Sequence, residues 1–258
     1  CNLDTEEIKR FFVVYSCEEL KGWFEDLIRQ YQKWADFRYE WNQIRTKSIK
    51  QLEFPFAYRE GQKQLAADVY RTLLRKKILF LQAPTGSGKT LSTVFPAVKA
   101  VGEGLGDKIF YLTAKTITRT VAKEAFALLA HRGYQGKVLE ITAKEKMCFC
   151  QEMDCNPENC PYAKGHYDRV NDAVFDLLHR ENAFEREDIL EQAQAYRVCP
   201  FEMSLDLALW SDVIICDYNY VFDPNIYLKR FFGEDAKGDY YFLVDEAHIL
   251  VQRGMEMY

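Results

Sequence analysis

The sequence has 258 residues, 48% of them hydrophobic, so it can bury a sizeable core and is not predicted to be disordered. Its formal net charge of -5 excludes a strongly basic protein that binds nucleic acid over its whole surface. No run approaches the ~20 apolar residues needed to cross a bilayer, so we expect a soluble protein without a membrane partner.

The first predicted element is a helical extension that covers residues 1–50. From about Thr5 to Ile49, large apolar residues recur at spacings of three and four, which places them on one helix face. These residues are Leu20, Trp23, Phe24, Leu27, Ile28, Tyr31 and Trp34. Because such a stripe is usually a packing face, we expect the extension to dock on the main domain.

Beyond residue 54 the pattern changes to short apolar runs that alternate with stretches of helical length. Five runs are predicted to be buried strands: Ile78–Gln82, Lys108–Thr113, Lys137–Thr142, Asp212–Cys216 and Tyr240–Val244. Buried strands that alternate with helices are typical of a parallel sheet covered on both faces. The predicted fold class is therefore α/β.

A phosphate-binding loop is predicted directly after the first of these strands. Residues 83–90, Ala-Pro-Thr-Gly-Ser-Gly-Lys-Thr, match the P-loop pattern except that Ala83 replaces its first glycine. Lys89 is predicted to contact the β- and γ-phosphates, and the hydroxyl of Thr90 to bind Mg²⁺. The backbone amides of the loop and the following helix favour an anion. The predicted phosphate-binding residues are Gly86, Ser87, Gly88, Lys89 and Thr90.

An acidic motif, Asp-Glu-Ala-His at residues 245–248, follows the last predicted strand. Asp245 is predicted to bind Mg²⁺, and Glu246 to polarise the water that attacks the γ-phosphate. Together with the P-loop this motif predicts a nucleotide-hydrolysis site, in which Lys89 and His248 are the other candidate catalytic residues.

Between residues 143 and 203 the strand pattern stops and cysteines crowd together. The chain has eight cysteines, and five of them lie here: Cys148, Cys150, Cys155, Cys160 and Cys199. In a reducing compartment, such crowding indicates a metal or a cluster. An insert of about 60 residues has little core of its own, so a bound metal or cluster is expected to stabilise it. Within it we predict two helices, Arg169–Arg180 and Arg186–Tyr196, and no strand.

The order of these motifs resembles the superfamily 2 helicases of the XPD and DinG type. Arg59-Glu60-Gly61-Gln62 is similar to the family's adenine-reading glutamine motif, which makes Arg59 and Gln62 candidate nucleotide contacts. Lys115-Thr116 is similar to motif Ia, and residues 214–224 are similar to the stretch that precedes the acidic box. The resemblance covers residues 54–258. It implies a RecA-like motor domain in two parts, residues 51–142 and 204–258, separated by an iron-sulfur domain at residues 143–203.

The same resemblance implies a [4Fe-4S] cluster bound by Cys148, Cys155, Cys160 and Cys199. Cys150 is the alternative to Cys148 as the first ligand. Zinc is the alternative to a cluster, because four cysteines also make a tetrahedral zinc site.

The resemblance further implies ATP hydrolysis with Mg²⁺, 5′ to 3′ movement on single-stranded DNA, and a role in repair or replication. Basic side chains contact phosphates and aromatic rings stack on bases in such complexes. The candidate DNA contacts are Thr113, Lys115, Thr116, Arg119, Tyr218, Asn219 and Tyr220. A second RecA-like domain is expected to be missing from this chain. The rival interpretation is a P-loop ATPase or nucleic-acid-binding module with a zinc-binding insert.

Overall fold

The computed structural model describes residues 8–10, 12–84, 86–114 and 116–257. Contacts divide the chain into two compact units, Cys1–Ile44 and Arg45–Tyr258, with the boundary inside the first helix. No helix in the described part of the chain is both long and apolar enough to cross a membrane.

The larger unit is built on a sheet in which every strand pairing is parallel. Five strands lie in the described residues: β1 (Lys108–Thr113), β2 (Val138–Glu140), β3 (Ala183–Phe184), β4 (Val213–Asp217) and β5 (Tyr240–Val244). Their order across the sheet is β3-β2-β4-β1-β5. The predicted α/β class and parallel sheet are confirmed. The carboxyl ends of parallel strands meet at one edge, where ligands bind in open α/β sheets.

Helices make up most of the remaining described chain. They are α1 (Cys17–Gln51), α2 (Gln62–Leu74), α3 (Lys89–Gly102), α4 (Thr116–His131), α5 (Lys144–Met147), α6 (His166–Arg180), α7 (Arg186–Tyr196), α8 (Pro200–Trp210), α9 (Asn219–Phe222), α10 (Lys229–Phe232) and α11 (Leu250–Met257). A short 3-10 helix (Ala247–Ile249) joins β5 to α11.

Alternate residues of β1 pack on opposite faces of the sheet. Ile109 and Tyr111 belong to a buried core that includes apolar residues of α3 and α4. Phe110 points to the other face, where its ring centroid lies 5.3 Å from that of Phe231 in α10. This alternation follows from the two-residue period of a strand. Burying each of these side chains contributes about 1.5 to 3 kcal/mol to the stability of the sheet.

The predicted strand Ile78–Gln82 is wrong. These residues belong to no strand, and the side chains of Ile78 and Phe80 are 85% and 88% exposed. An apolar run becomes a strand only where a neighbouring strand supplies hydrogen bonds, and the described sheet ends at β5. Lys76 forms an ion pair with Asp239, so the chain enters this segment close to the start of β5.

The insert contributes a strand that the sequence did not predict. β3 pairs with β2 and places Phe184 opposite Leu139. The ammonium group of Lys137 donates to the main-chain oxygens of Leu178, at 2.6 Å, and of Glu181, at 2.9 Å. These bonds fix the end of α6 to the chain that enters β2. The two predicted helices of the insert are confirmed as α6 and α7, although α6 begins earlier, at residue 166.

The helical extension begins later than predicted. Residues 1–7 and 11 lie outside the described residues, and α1 begins at Cys17. The hydroxyl of Ser16 accepts from the N–H of Glu19, and the Glu19 carboxylate accepts from the N–H of Ser16. This reciprocal pair is a capping box, which satisfies free amides at the first turn and fixes where the helix starts.

The apolar face predicted on α1 is exposed. The side chains of Trp23, Phe24 and Leu27 are 59%, 54% and 50% exposed. Among the described residues of the unit Cys1–Ile44 nothing buries this face, and its docking on the main domain stays a prediction. Periodicity identifies the side chains that share a helix face, but it carries no information about what covers that face.

Candidate functional site

The P-loop positions its glycines in a backbone conformation that other residues rarely adopt. Gly86 and Gly88 both have φ of 77°, and Gly88 is the N-cap of α3. A side chain at Gly88 would also collide with the amide of Gln62. Lys89 and Thr90 form the first turn of α3. The positive end of this helix therefore lies at the loop, as an anion-binding site requires.

The upstream glutamine motif contacts the P-loop directly. Arg59 Nη1 donates to the main-chain oxygen of Gly86 at 3.0 Å, and Gln62 Nε2 donates to that of Ser87 at 3.3 Å. The Gln62 side-chain oxygen accepts from the N–H of Arg59 at 3.0 Å. These hydrogen bonds join the start of α2 to the backbone of the P-loop.

The acidic box begins where β5 ends. The N–H of Asp245 donates to the main-chain oxygen of Leu112 at 3.0 Å, which continues the pairing of β5 with β1. Glu246 has a left-handed backbone, with φ 53° and ψ 44°. Its carboxylate lies 3.3 Å from Nδ1 of His248, whose side chain is exposed. The three polar residues of the box thus lie at the carboxyl edge of the sheet.

Electrostatic contacts show that the P-loop and the acidic box are neighbours. Burial raises the pKa of the Asp245 carboxyl group, and the nearby Glu246 carboxylate raises it further, whereas Lys89 lowers it. The hydroxyl of Tyr111 in β1 is hydrogen-bonded to the side chain of Thr90, and burial raises the pKa of Tyr111. Sequence reasoning missed Tyr111. The only signal for it was a hydroxyl in the middle of β1, between two apolar neighbours.

Several predicted DNA contacts lie at the ends of β1 and β4 and carry polar atoms that lack partners. Thr113 is the last residue of β1 and is opposite Asp217 in β4. Thr113 Oγ1, Arg119 Nε and Asn219 Oδ1 are buried and have no hydrogen-bond partner among the described residues. Buried polar atoms are costly unless they are paired. Thr113 is as fully buried as Tyr218, so a ligand can reach its hydroxyl only if the structure around it opens.

The remaining DNA candidates have different surroundings. Lys115 and the side chain of Thr116 lie outside the described residues. Tyr220 is partly buried, and burial raises its pKa to about 12. Tyr218 is fully buried, and its hydroxyl donates to the main-chain oxygen of Asp245. The ring of Tyr218 is thus not accessible to a base, which corrects its expected stacking role.

The cysteines of the insert form two groups of contacts. Cys150 Sγ lies 3.9 Å from Cys160 Sγ, and Cys150 is also hydrogen-bonded to Cys148. Burial and these two neighbouring thiols raise the pKa of Cys150 to about 11. The second group centres on Lys144, which is hydrogen-bonded to Cys155 and lies near Cys199.

These thiols fit an iron-sulfur cluster in their chemistry, because cysteine thiolates are the ligands of such clusters. Within the part of the chain that the structure describes, no three His, Cys, Asp or Glu side chains are arranged to hold a metal ion. His166 accepts from the N–H of Cys199 through Nδ1, at 3.2 Å, and so supports the backbone of a candidate ligand.

A P-loop and an acidic box at the carboxyl edge of one parallel sheet define a P-loop nucleotide-binding domain. The family model described as DEAD/DEAH box helicase matches residues 60–193, and the DEAD_2 model matches residues 134–258. The chain belongs to the DEAD/DEAH box helicase family.

Curated relatives include the human regulator of telomere elongation helicase 1, which is 22% identical over 249 residues. The match covers 76% of this chain and 20% of that protein. The Caenorhabditis elegans homolog is 24% identical over 244 residues, with 77% of this chain and 24% of the relative covered. The chain therefore spans about a fifth to a quarter of the length of these relatives.

Two solved structures share the fold. "XPD_Helicase" aligns with a TM-score of 0.53 and 19% identity, over 76% of this chain and 34% of that one. "Truncated XPD" aligns with a TM-score of 0.50 and 19% identity, over 74% of this chain and 53% of that one. The predicted resemblance to XPD-type superfamily 2 helicases and the RecA-like fold are both confirmed.

Proposed function

We propose that this chain is the ATP-binding part of an ATP-dependent DNA helicase. The observation that carries the proposal is the electrostatic interaction of Lys89, at the start of α3, with Asp245 at the end of β5. Thr90, the next residue, is hydrogen-bonded to Tyr111, which also interacts with Asp245. A cation, a hydroxyl and a carboxylate are the groups needed to bind a nucleoside triphosphate with Mg²⁺.

Each side chain has a defined role in the proposed reaction. Lys89 contacts the β- and γ-phosphates, while Thr90 and Asp245 bind Mg²⁺. Glu246 accepts a proton from a water molecule while the oxygen of that water bonds to the γ-phosphorus. The bond from that phosphorus to the β–γ bridging oxygen breaks, leaving ADP and inorganic phosphate. His248, beside the Glu246 carboxylate, orients that carboxylate.

Arg59 and Gln62 are proposed to contact the adenine. Their hydrogen bonds to the main chain of the P-loop support this role, because they would link base recognition to the conformation of the phosphate-binding loop. The family's glutamine motif provides the analogy for this assignment.

Single-stranded DNA is the proposed partner at the carboxyl ends of β1 and β4. The partly exposed side chains of Arg119 and Asn219, which follow these strand ends in the chain, support this assignment. Thr113 is fully buried, so the proposal requires that it become accessible when a strand binds. Lys115, Thr116 and Tyr220 complete the proposed track. Movement in the 5′ to 3′ direction, with a role in repair or replication, is proposed from the resemblance to XPD and DinG helicases.

The insert is proposed to bind a [4Fe-4S] cluster through Cys148, Cys155, Cys160 and Cys199. The cluster would supply a cross-link among four points of a small domain. Cys150 contacts both Cys148 and Cys160, which keeps it as the alternative to Cys148.

Mg-ATP is expected to raise the melting temperature of this chain. A ligand that binds only the folded state at 100 times its dissociation constant stabilises it by about 2.7 kcal/mol, which corresponds to about 5 to 10 °C. Lys89→Ala should abolish most of this shift, whereas Lys229→Ala, which removes an exposed lysine in α10, should keep it. Differential scanning fluorimetry measures both. An unchanged shift in the Lys89 variant would disprove the P-loop assignment.

Protein purified without oxygen is expected to contain about four iron atoms per chain. Replacing Cys155, Cys160 or Cys199 by Ser should remove most of the iron, because each loss leaves the cluster with three ligands. Cys216→Ser is the matched control, since this thiol is buried in β4. Cys150→Ser should have much less effect than the ligand changes. Elemental analysis that finds stoichiometric zinc and no iron would refute the cluster.

A further inference from the structure

The buried tyrosine after β4 is hydrogen-bonded to the backbone of the acidic box. The Tyr218 hydroxyl donates to the main-chain oxygen of Asp245, which belongs to the peptide unit that joins Asp245 to Glu246. The N–H of the same peptide unit donates to Oδ1 of Asp245 at 3.1 Å. A peptide unit is planar, so a bond that fixes its oxygen also fixes the direction of its N–H.

The backbone of Glu246 needs contacts that stabilise its conformation. Glu246 has a left-handed conformation, with φ 53° and ψ 44°, that is uncommon for a residue with a side chain. Such conformations persist where surrounding contacts determine them. One contact is the Tyr218 hydroxyl before Glu246, and another is the bond from the N–H of Ile249 to the Glu246 oxygen, at 2.9 Å.

A second link joins the same two segments. Arg253 in α11 lies 3.3 and 3.4 Å from the two carboxylate oxygens of Asp217, the residue before Tyr218. One oxygen of Asp217 also accepts from the N–H of Asn219 at 3.0 Å. The turn that carries Tyr218 is therefore fixed to the helix that follows the acidic box.

We propose that Tyr218 is a positioning residue for the carboxylate of Asp245. The proposal rests on the proposed function, in which this carboxylate binds Mg²⁺. The hydroxyl fixes the peptide unit, and the N–H of that unit directs the carboxylate. Removing the hydroxyl leaves the P-loop and Lys89 unchanged, so only the part of nucleotide binding that depends on Mg²⁺ is weakened.

The test compares the affinity for adenylyl imidodiphosphate in Mg²⁺ with its affinity in EDTA, by isothermal titration calorimetry on this chain. Tyr218→Phe is expected to reduce the gain in affinity due to Mg²⁺ by about tenfold, which is the upper range for one hydrogen bond. The affinity in EDTA should stay within about twofold of the wild-type value. A purely structural role would lower the melting temperature and leave the gain from Mg²⁺ unchanged.

Tyr241→Phe is the matched control, because the Tyr241 hydroxyl is buried on β5 and has no hydrogen-bond partner among the described residues. It should keep the full gain from Mg²⁺. Arg253→Gln weakens the second link and is expected to reduce the gain by about threefold. This variant keeps the proposal testable if Tyr218→Phe does not fold.

Asp245→Asn separates a failure of the proposed function from a failure of the proposed role of Tyr218. If this change leaves the gain from Mg²⁺ intact, the proposed function is wrong about the cation. If Asp245→Asn removes the gain from Mg²⁺ but Tyr218→Phe leaves it intact, only the proposed role of Tyr218 is overturned. Where Tyr218→Phe does not fold, Arg253→Gln takes its place in this comparison. Loss of the gain in both Asp245→Asn and Tyr218→Phe, with Tyr241→Phe unchanged, supports the proposal.

Discussion

This chain alone is expected to hydrolyse Mg-ATP about 10³ to 10⁵ times more slowly than a helicase whose site is completed by arginines from a second RecA-like domain. The described residues form one parallel sheet with one P-loop and one acidic box. The arginine nearest in sequence to the box, Arg253, is engaged with Asp217 and Glu256. Charge that develops on the γ-phosphate would therefore lack the arginines that stabilise it in the transition state.

The measurement is phosphate release under excess Mg-ATP, with and without a single-stranded oligonucleotide. Glu246→Gln provides the background, because it removes the proposed base and keeps the shape of the side chain. Binding of Mg-ATP should remain easily detectable. Rapid turnover that is stimulated by DNA and abolished by Glu246→Gln would show that one domain hydrolyses ATP without arginines from a second.

The position of the acidic box followed from the sequence, because the box comes directly after β5 and parallel strands place their carboxyl ends at one edge. The P-loop was expected at the same edge because of the strand Ile78–Gln82, which the structure lacks, so its position depends instead on the packing of α3 against β1. The proximity of Lys89 to Asp245 agrees with that expectation. Local patterns predicted the backbone of each motif, such as the glycines at positive φ, but not the packing that brings the P-loop to the sheet.

What the sequence could not predict depends on contacts between distant segments. The run at Ile78–Gln82 has the composition of a strand, yet a strand exists only with a paired neighbour. β3 has two residues, which is too short for any periodic signal. Tyr218 was expected to stack on a base, but its ring is buried. The sequence alone does not distinguish an exposed aromatic ring after a strand from a buried one.

Removing the carboxylate of Asp212 is expected to destabilise the larger unit by about 3 to 5 kcal/mol, as is typical when one partner of a buried ion pair is lost. Arg45 Nη1 lies 2.6 Å from Asp212 Oδ1, and the N–H of Lys137 donates to Oδ2 at 2.7 Å. The side chains of Arg45 and Asp212 are only 19% and 5% exposed. Asp212→Ala would therefore leave a largely buried guanidinium and a main-chain amide without their acceptor.

Urea unfolding followed by circular dichroism measures this loss, which is a large share of the 5 to 15 kcal/mol typical of folded proteins. Asp68→Ala is the matched control, because its ion pair with Arg71 is about half exposed and should contribute about 0 to 1 kcal/mol. The double change Arg45→Met with Asp212→Asn should cost less than Asp212→Ala, since it removes the buried charge and keeps an acceptor for Lys137. Equal losses for Asp212→Ala and Asp68→Ala would mean that the buried pair contributes no more than a surface pair.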